Sequence, residues 1–235
     1  MKEWQEDQLR AVNFTDGGSF FTTMSEMAAE LGFDLCAFAM RAPLPLSNPR
    51  IVIASNYSEA WQHTYQQNNY LAVDPTVQHG LCSQNMLVWS DEVFSQAHDF
   101  WEEAHAADLR VGLAQPTRGT HGVVGMLTLA RSAEEITDIE LNDKKLQLTW
   151  LAQIAHASMS QHVIPKLMPT IEVKLTNREI SILRWIAEGK SSGDIADILR
   201  IAERTVNFHI NNAVAKLGVS NRTAAAVQAA LFGLL

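Results

Sequence analysis

Apolar residues recur along this chain in two rhythms. Runs at 34–40, 51–55, 111–116 and 123–130 are short and apolar or β-branched, as strands are. Segments 20–31, 58–67, 99–107 and 138–163 instead carry the three-to-four-residue spacing of helices. The longest of these places Leu141, Leu148, Leu151, Ile154, Ala155 and Met159 at core-facing positions. Helices interleaved with strands of this kind predict an α/β/α sandwich around a mostly antiparallel sheet.

The rhythm changes after Pro165 and Pro169, which disfavour a continuous helix because proline lacks a backbone donor and restricts the residue before it. Beyond them, Thr176-Asn177-Arg178-Glu179 fits a capping box that opens a helix carrying Ile180, Leu183 and Ala187, with Gly189 able to end it. Ser191 or Ser192 can cap a second, short helix bearing Ile195, Ile198 and Leu199. Arg200-Ile201-Ala202 then makes a tight turn into a third. Two short helices so joined form a helix-turn-helix. The third places Val206, Ile210, Ala213 and Leu217 on one stripe and leaves Arg204, Thr205, Asn207, Asn211 and Asn212 facing outward, with Gly218 closing it. The chain therefore reads as α+β: an N-terminal α/β/α sandwich followed by an all-α helix-turn-helix domain.

Charge sharpens this division. The 235 residues carry a net charge of −8, unpromising for a nucleic-acid binder. From Thr170 onward, however, there are eight basic residues against six acidic ones, so the acidic excess lies wholly in the body of the chain. Polar residues at the start of the third helix suit base edges, because asparagine pairs bidentately with adenine and arginine with guanine. Lys190, Lys216 and Arg222 suit phosphates, and Ser191, Ser192 and His209 complete the candidate DNA-facing set. An ordinary three-helix bundle with a solvated face is the plainer alternative.

Other chemistry is thin. Cys36 and Cys82 offer neither a disulfide framework nor metal-ligand spacing and read as buried thiols. The eight histidines form neither H-x-H nor H-E-x-x-H, and no G-x-S-x-G elbow occurs, so no enzyme of those kinds is expected. Gly119, Gly122 and Gly125 fit a strand turn better than a phosphate loop. The first 130 residues also lack the acidic pair, phosphoacceptor aspartate and lysine of a response regulator. The charged opening MKEWQEDQLR has no apolar stretch behind it, so a cytoplasmic location is expected.

One constellation in the N-terminal part points to a ligand. Tyr57, Trp61 and Tyr65 recur at i, i+4, i+8, placing three amphipathic aromatics on one helical face, followed by Asp74-Pro75 and Trp89. Such a stripe also suits a plain core. Asp74 sits among Tyr70, Leu71, Ala72, Val73 and Pro75, where a buried carboxylate requires a donor. That donor is a ligand amide or, alternatively, the backbone of a helix that Asp74 caps before Pro75.

The segments LTNREISILRWIAEGKSSGDIADIL, ERTVNFH and KLGVSN resemble the DNA-binding domain of LuxR-type regulators, which implies an all-α four-helix helix-turn-helix domain. Glu179, Leu183, Gly189, Thr205, Val206, His209, Lys216 and Leu217 fall on positions typical of that family. Ala202 departs from it, standing where serine usually caps the recognition helix. NYSEAWQHTYQQNNYLAVDPTV, VWSDEVF, FWEEAHAADLRVGLAQP and MLTLAR resemble the signal-binding domain of acyl-homoserine-lactone receptors. The resemblance implies a quorum-sensing regulator whose ligand is an N-acyl-homoserine lactone, with no cofactor or metal. It implies binding to palindromic double-stranded DNA as a homodimer, with the long helix ending near Val163 as a dimer surface. It further implies that Trp61 donates to the lactone carbonyl, Asp74 accepts the amide N–H, and Tyr57 with Thr128 binds the acyl carbonyl. Tyr65, Val77, Trp89, Phe100, Trp101 and Leu113 would enclose ring and tail. The implied boundaries are 1–163 for the ligand-binding domain, 164–173 for a linker and 174–235 for the DNA-binding domain. A helix-turn-helix regulator that senses another small molecule, or none, is the alternative.

Overall fold

The computed structural model describes residues 17–168 and 173–235; Pro169 lies outside them. The described residues divide into two compact units. The first holds 17–42, 50–119 and 123–164, and the second holds 165–168 and 173–235 with the short segments 43–49 and 120–122.

The first unit is built on five antiparallel strands. These are β1 (Leu35–Arg41), β2 (Ile51–Ser55), β3 (Leu87–Val88), β4 (Val111–Arg118) and β5 (Val124–Arg131), in the order β2-β1-β5-β4-β3. Strand side chains alternate between faces, and here the alternation separates two jobs. Cys36, Phe38, Leu127 and Leu129 turn to one face and are fully buried. There they meet α1 (Gly17–Glu30) and α5 (Asp138–Leu167), as the contacts of Ser25 with Cys36 and of His156 with Phe38 show. Ala37, Ala39, Met126 and Thr128 turn to the other face, toward α2 (Glu59–Gln67), α3 (Pro75–Cys82) and α4 (His98–Ala106). The layers are thus α/β/α, as the apolar rhythm predicts.

Two polar fixtures tie α5 to the sheet. Arg131, at the end of β5, forms a bidentate pair with Glu140 and donates to the carbonyls of Glu134 and Glu135. Lys144 reaches Glu140 from one turn further on. The guanidinium holds the Glu140 carboxyl down to about 2. Further along α5, His156 Nδ1 meets Thr117 Oγ1 at 2.7 Å. Its ring fills the space that a Cβ at Gly119 or Gly125 would need, so two of the three spaced glycines make room for this histidine.

Most predicted spans coincide with elements to within a few residues. Helix α5 departs, running four residues past Val163 with Pro165 inside its last turn. A proline there removes a single helical hydrogen bond, whose acceptor, the carbonyl of the exposed Gln161, lies in water's reach. Cys36 is buried as expected, but Cys82 is exposed at the end of α3.

The second unit is four helices: α6 (Asn177–Ala187), α7 (Ser192–Leu199), α8 (Glu203–Leu217) and α9 (Arg222–Leu231). The predicted stripe of Val206, Ile210, Ala213 and Leu217 is buried against Ile182, Leu183, Ile195 and Ala225. Thr176 and Glu179 form the predicted capping box, and Ser191 rather than Ser192 caps α7. Arg200 and Gly218 take left-handed backbone at the ends of α7 and α8.

Candidate functional site

Ser58 caps α2 by accepting the Trp61 backbone N–H at 3.2 Å. The helix begun there raises Trp61 and Tyr65 one turn apart over the open face of the sheet, with Tyr57 just before it. A short 3-10 turn, Tyr70–Ala72, then delivers Asp74 to the start of α3. Asp74 Oδ1 accepts the Thr76 backbone N–H at 2.8 Å and its hydroxyl at 2.7 Å, while Oδ2 accepts the Tyr65 hydroxyl at 2.9 Å. The capping reading of Asp74 therefore holds, and it does not displace the other. The carboxylate is 7% exposed and lines a cavity. Burial pushes its pKa up against the opposing effect of these hydrogen bonds. Burial and the neighbouring Asp74 push the Tyr65 hydroxyl up as well.

The cavity is about 160 Å³ and lies between the sheet and α2–α4. Nine of the ten predicted ligand residues line it: Tyr57, Trp61, Tyr65, Asp74, Val77, Trp89, Phe100, Trp101 and Thr128. Leu113 does not. It pairs with Leu129 and so belongs to the α1/α5 face, because one residue along a strand reverses the side chain.

Several wall residues went unpredicted. The floor is formed by Ala37, Ala39 and Met126, with Ile53 and Ser55 from β2 beside them. Period-two alternation on β1 could have found the alanines, once Thr128 was placed on the cavity side. Phe94 stacks on Trp101 at 4.1 Å, and Trp101 is fixed by its indole N–H donating to Asp91 at 2.8 Å. Trp61 sits among Tyr65, Tyr70 and Phe100, with ring centroids 5.8–6.2 Å away. The Trp89 ring lies so close over β4 that a Cβ on Gly112 would approach it to 2.6 Å.

The polar groups of this cavity are incompletely matched. Among the described residues, no hydrogen bond engages the Trp61 indole N–H. The Tyr57 hydroxyl and the Trp89 indole N–H are enclosed without a partner. A buried polar atom left unpaired costs about 1–3 kcal/mol, so this interior is unfinished as a self-contained core.

In the second unit, Lys190, Ser191, Arg204, Thr205, Asn207, Asn211 and Arg222 are exposed, while Ser192, His209 and Asn212 are half-buried. Ser192 donates to Asn207 Oδ1 at 2.8 Å, tying α7 to the outer face of α8. Lys216, a candidate for a phosphate contact, donates to both carboxylate oxygens of the buried Glu179, at 2.9 and 2.8 Å. Ala202 provides no side-chain cap for α8. No metal-binding cluster occurs among the described residues, and none of their helices is long and apolar enough to cross a membrane.

These two sites correspond to two known domain families. Residues 18–159 match the autoinducer binding domain, and residues 173–229 match the bacterial regulatory proteins of the luxR family. The chain belongs to the LuxR family of quorum-sensing transcription regulators. It is 42% identical to the transcriptional activator protein AnoR of Acinetobacter nosocomialis over the whole length of both. It is 38% identical to the quorum-sensing regulator RhlR of Pseudomonas aeruginosa, over 94% of this chain and 91% of that one. Among solved structures, Escherichia coli SdiA superposes with a TM-score of 0.84 at 33% identity, covering 99% of this chain and 98% of SdiA. SdiA in complex with octanoyl-rac-glycerol gives 0.82 at 33% identity, covering 99% and 95%. These relatives are transcription regulators, and no catalytic family is indicated.

Proposed function

We propose that residues 1–163 bind an N-acyl-homoserine lactone and that residues 174–235, joined to them through 164–173, bind palindromic promoter DNA as part of a cytoplasmic homodimer. The observation that carries the ligand reading is the set of unmatched polar atoms around one apolar cavity. Trp61 offers a free indole N–H for the lactone carbonyl, and Asp74 Oδ2 retains acceptor capacity for the amide N–H beside its bond to Tyr65. Tyr57 and Thr128 offer hydroxyls for the acyl carbonyl. Ala37, Ala39 and Met126 then provide an apolar floor for the tail, worth about 0.8 kcal/mol per buried methylene.

Dimer formation is supported by helix α5. Ile139, Leu146 and Trp150 recur at i, i+7 and i+11 on it and stay exposed by 76, 70 and 42%. An apolar stripe on the outside of a long helix suits a second copy of itself about a two-fold axis. Ligand binding would order this unit and its dimer, so that two helix-turn-helix units act on one operator at high effective concentration. Arg204, Thr205, Asn207, Asn211 and Asn212 of α8 would read bases, with Lys190 and Arg222 on phosphates.

A second reading has an observation behind it. SdiA has been solved with octanoyl-rac-glycerol, a guest with an acyl chain but no amide. The two are separated by thermal melting with homoserine lactones of four to twelve acyl carbons and with octanoyl-glycerol. The lactone reading expects a saturable rise of about 5–10 °C at the best length, as binding at a hundred times Kd implies. A larger shift with octanoyl-glycerol than with every lactone would favour the alternative, and no saturable shift would defeat both.

A further inference from the structure

The DNA-reading face contains one residue that a polar account of recognition leaves unused. Phe208 is 60% exposed, although its place on α8 is as far from the buried stripe of Val206, Ile210, Ala213 and Leu217 as a helix allows. It stands one turn after Arg204 and one turn before Asn211, which places a phenyl ring at the centre of the outward arc between two base-reading side chains. Among the described residues its one ring partner is the neighbouring His209, edge-on at 5.5 Å. A single exposed apolar residue normally needs no explanation, but this one interrupts a surface otherwise suited to hydrogen bonding. In the major groove, the apolar feature displayed by base edges is the thymine C5-methyl group.

We propose that Phe208 reads a thymine methyl in each half-site of the operator, making it a specificity-determining residue of the recognition helix. This rests on the reading that α8 enters the major groove. Four residues of helix advance about 6 Å, so the thymine lies about two base pairs from the base addressed by Arg204. Hydrogen-bonding residues cannot sense the methyl itself, which offers neither donor nor acceptor. Phe208 therefore adds a base-pair identity to those that Arg204 and Asn211 can specify.

The test uses the full chain, alone and with N-octanoyl-homoserine lactone, to select duplexes from a randomised 20-base-pair library. Fluorescence anisotropy then follows binding to the selected duplex with its thymines replaced one at a time by uracil, which removes the methyl and keeps the pairing edge. Wild type should lose about fourfold in affinity at one thymine per half-site, the factor that burying one methyl is worth. Phe208→Ala should bind the thymine duplex about tenfold more weakly and no longer distinguish that uracil, while Phe208→Leu keeps part of the discrimination. An unchanged melting temperature for Phe208→Ala would show that the loss is not one of folding.

Indifference of the wild type to every uracil, or undiminished sensitivity in Phe208→Ala, would overturn the proposal. If Arg204→Ala and Asn211→Ala still weaken binding in that case, the groove reading survives it. Enrichment of no duplex, or unchanged binding by those two variants, would instead show that the groove reading itself had failed.

Discussion

Helix starts in the second unit are largely capped from within, while the first unit leaves polar groups stranded around a cavity. Thr176 with Glu179, Ser191 with Asp194, and Asn221 each satisfy the beginning of their helix, and the core beneath is continuous. Around the cavity, the Tyr57 hydroxyl and the Trp89 indole N–H are enclosed without a partner among the described residues, and Trp61 is packed among aromatic rings on three sides. The first unit thus keeps unmatched polar atoms beside an interior cavity, where the proposed guest would complete its core, whereas the second has a closed core and exposes its polar side chains outward.

The largest break in this contrast should come from Asp74→Ala. The change removes the α3 cap, the Tyr65 partner and the proposed amide acceptor together. We expect lactone affinity to fall about a hundredfold or more by calorimetry, since hydrogen bonds to a charged group are worth about 1.5–3 kcal/mol each. Gly112→Ala should follow, because its Cβ would meet both the Trp89 ring and the Leu129 carbonyl at 2.6 Å. A loss of about 1–3 kcal/mol in stability is expected by denaturant titration, together with weaker lactone binding. Neither change should alter hydrogen-exchange protection in α6–α9.

In the second unit the corresponding test is a gain. Ala202 has extended backbone suited to a cap and no side chain to serve as one. Ala202→Ser should stabilise the start of α8 by about 1 kcal/mol, read as slower amide exchange in its first turn and no change around the cavity.

Acid distinguishes the units through His156. Burial holds its pKa below the ordinary value of about 6.5, and the groups packed on its ring, Phe38, Thr117, Gly119 and Gly125, carry no charge. The unfolded chain therefore binds this proton more readily than the folded one. The contribution to stability is full above about pH 6.5 and is lost as pH falls toward the folded value. The melting temperature of the first unit should drop across that window, and His156→Gln should flatten the dependence.

Much of this was legible in the chain because local patterns agreed with the final packing. Short apolar or β-branched runs became strands, Thr176 and Glu179 became a capping box, and the Val206 stripe became core. What escaped depends on long-range register. Leu113 and Ala114 are neighbours in sequence, and only the pairing of β4 with β5 decides which of them shares Thr128's face. Likewise, no local pattern announces the ion pair of Lys216 with Glu179, 37 residues earlier in the chain and 2.8 Å away. Phe208 could have been found by asking which residue lies opposite the core stripe rather than which residues are polar.

Amide hydrogen exchange on the full chain, with and without N-octanoyl-homoserine lactone, reads out whether a guest enters the first unit. Saturable protection is expected in α2, α3 and β5 around Trp61, Asp74 and Thr128, and Asp74→Ala should remove it. Lactone that leaves these segments unprotected at saturating concentration, or protects only α6–α9, would contradict the lactone reading.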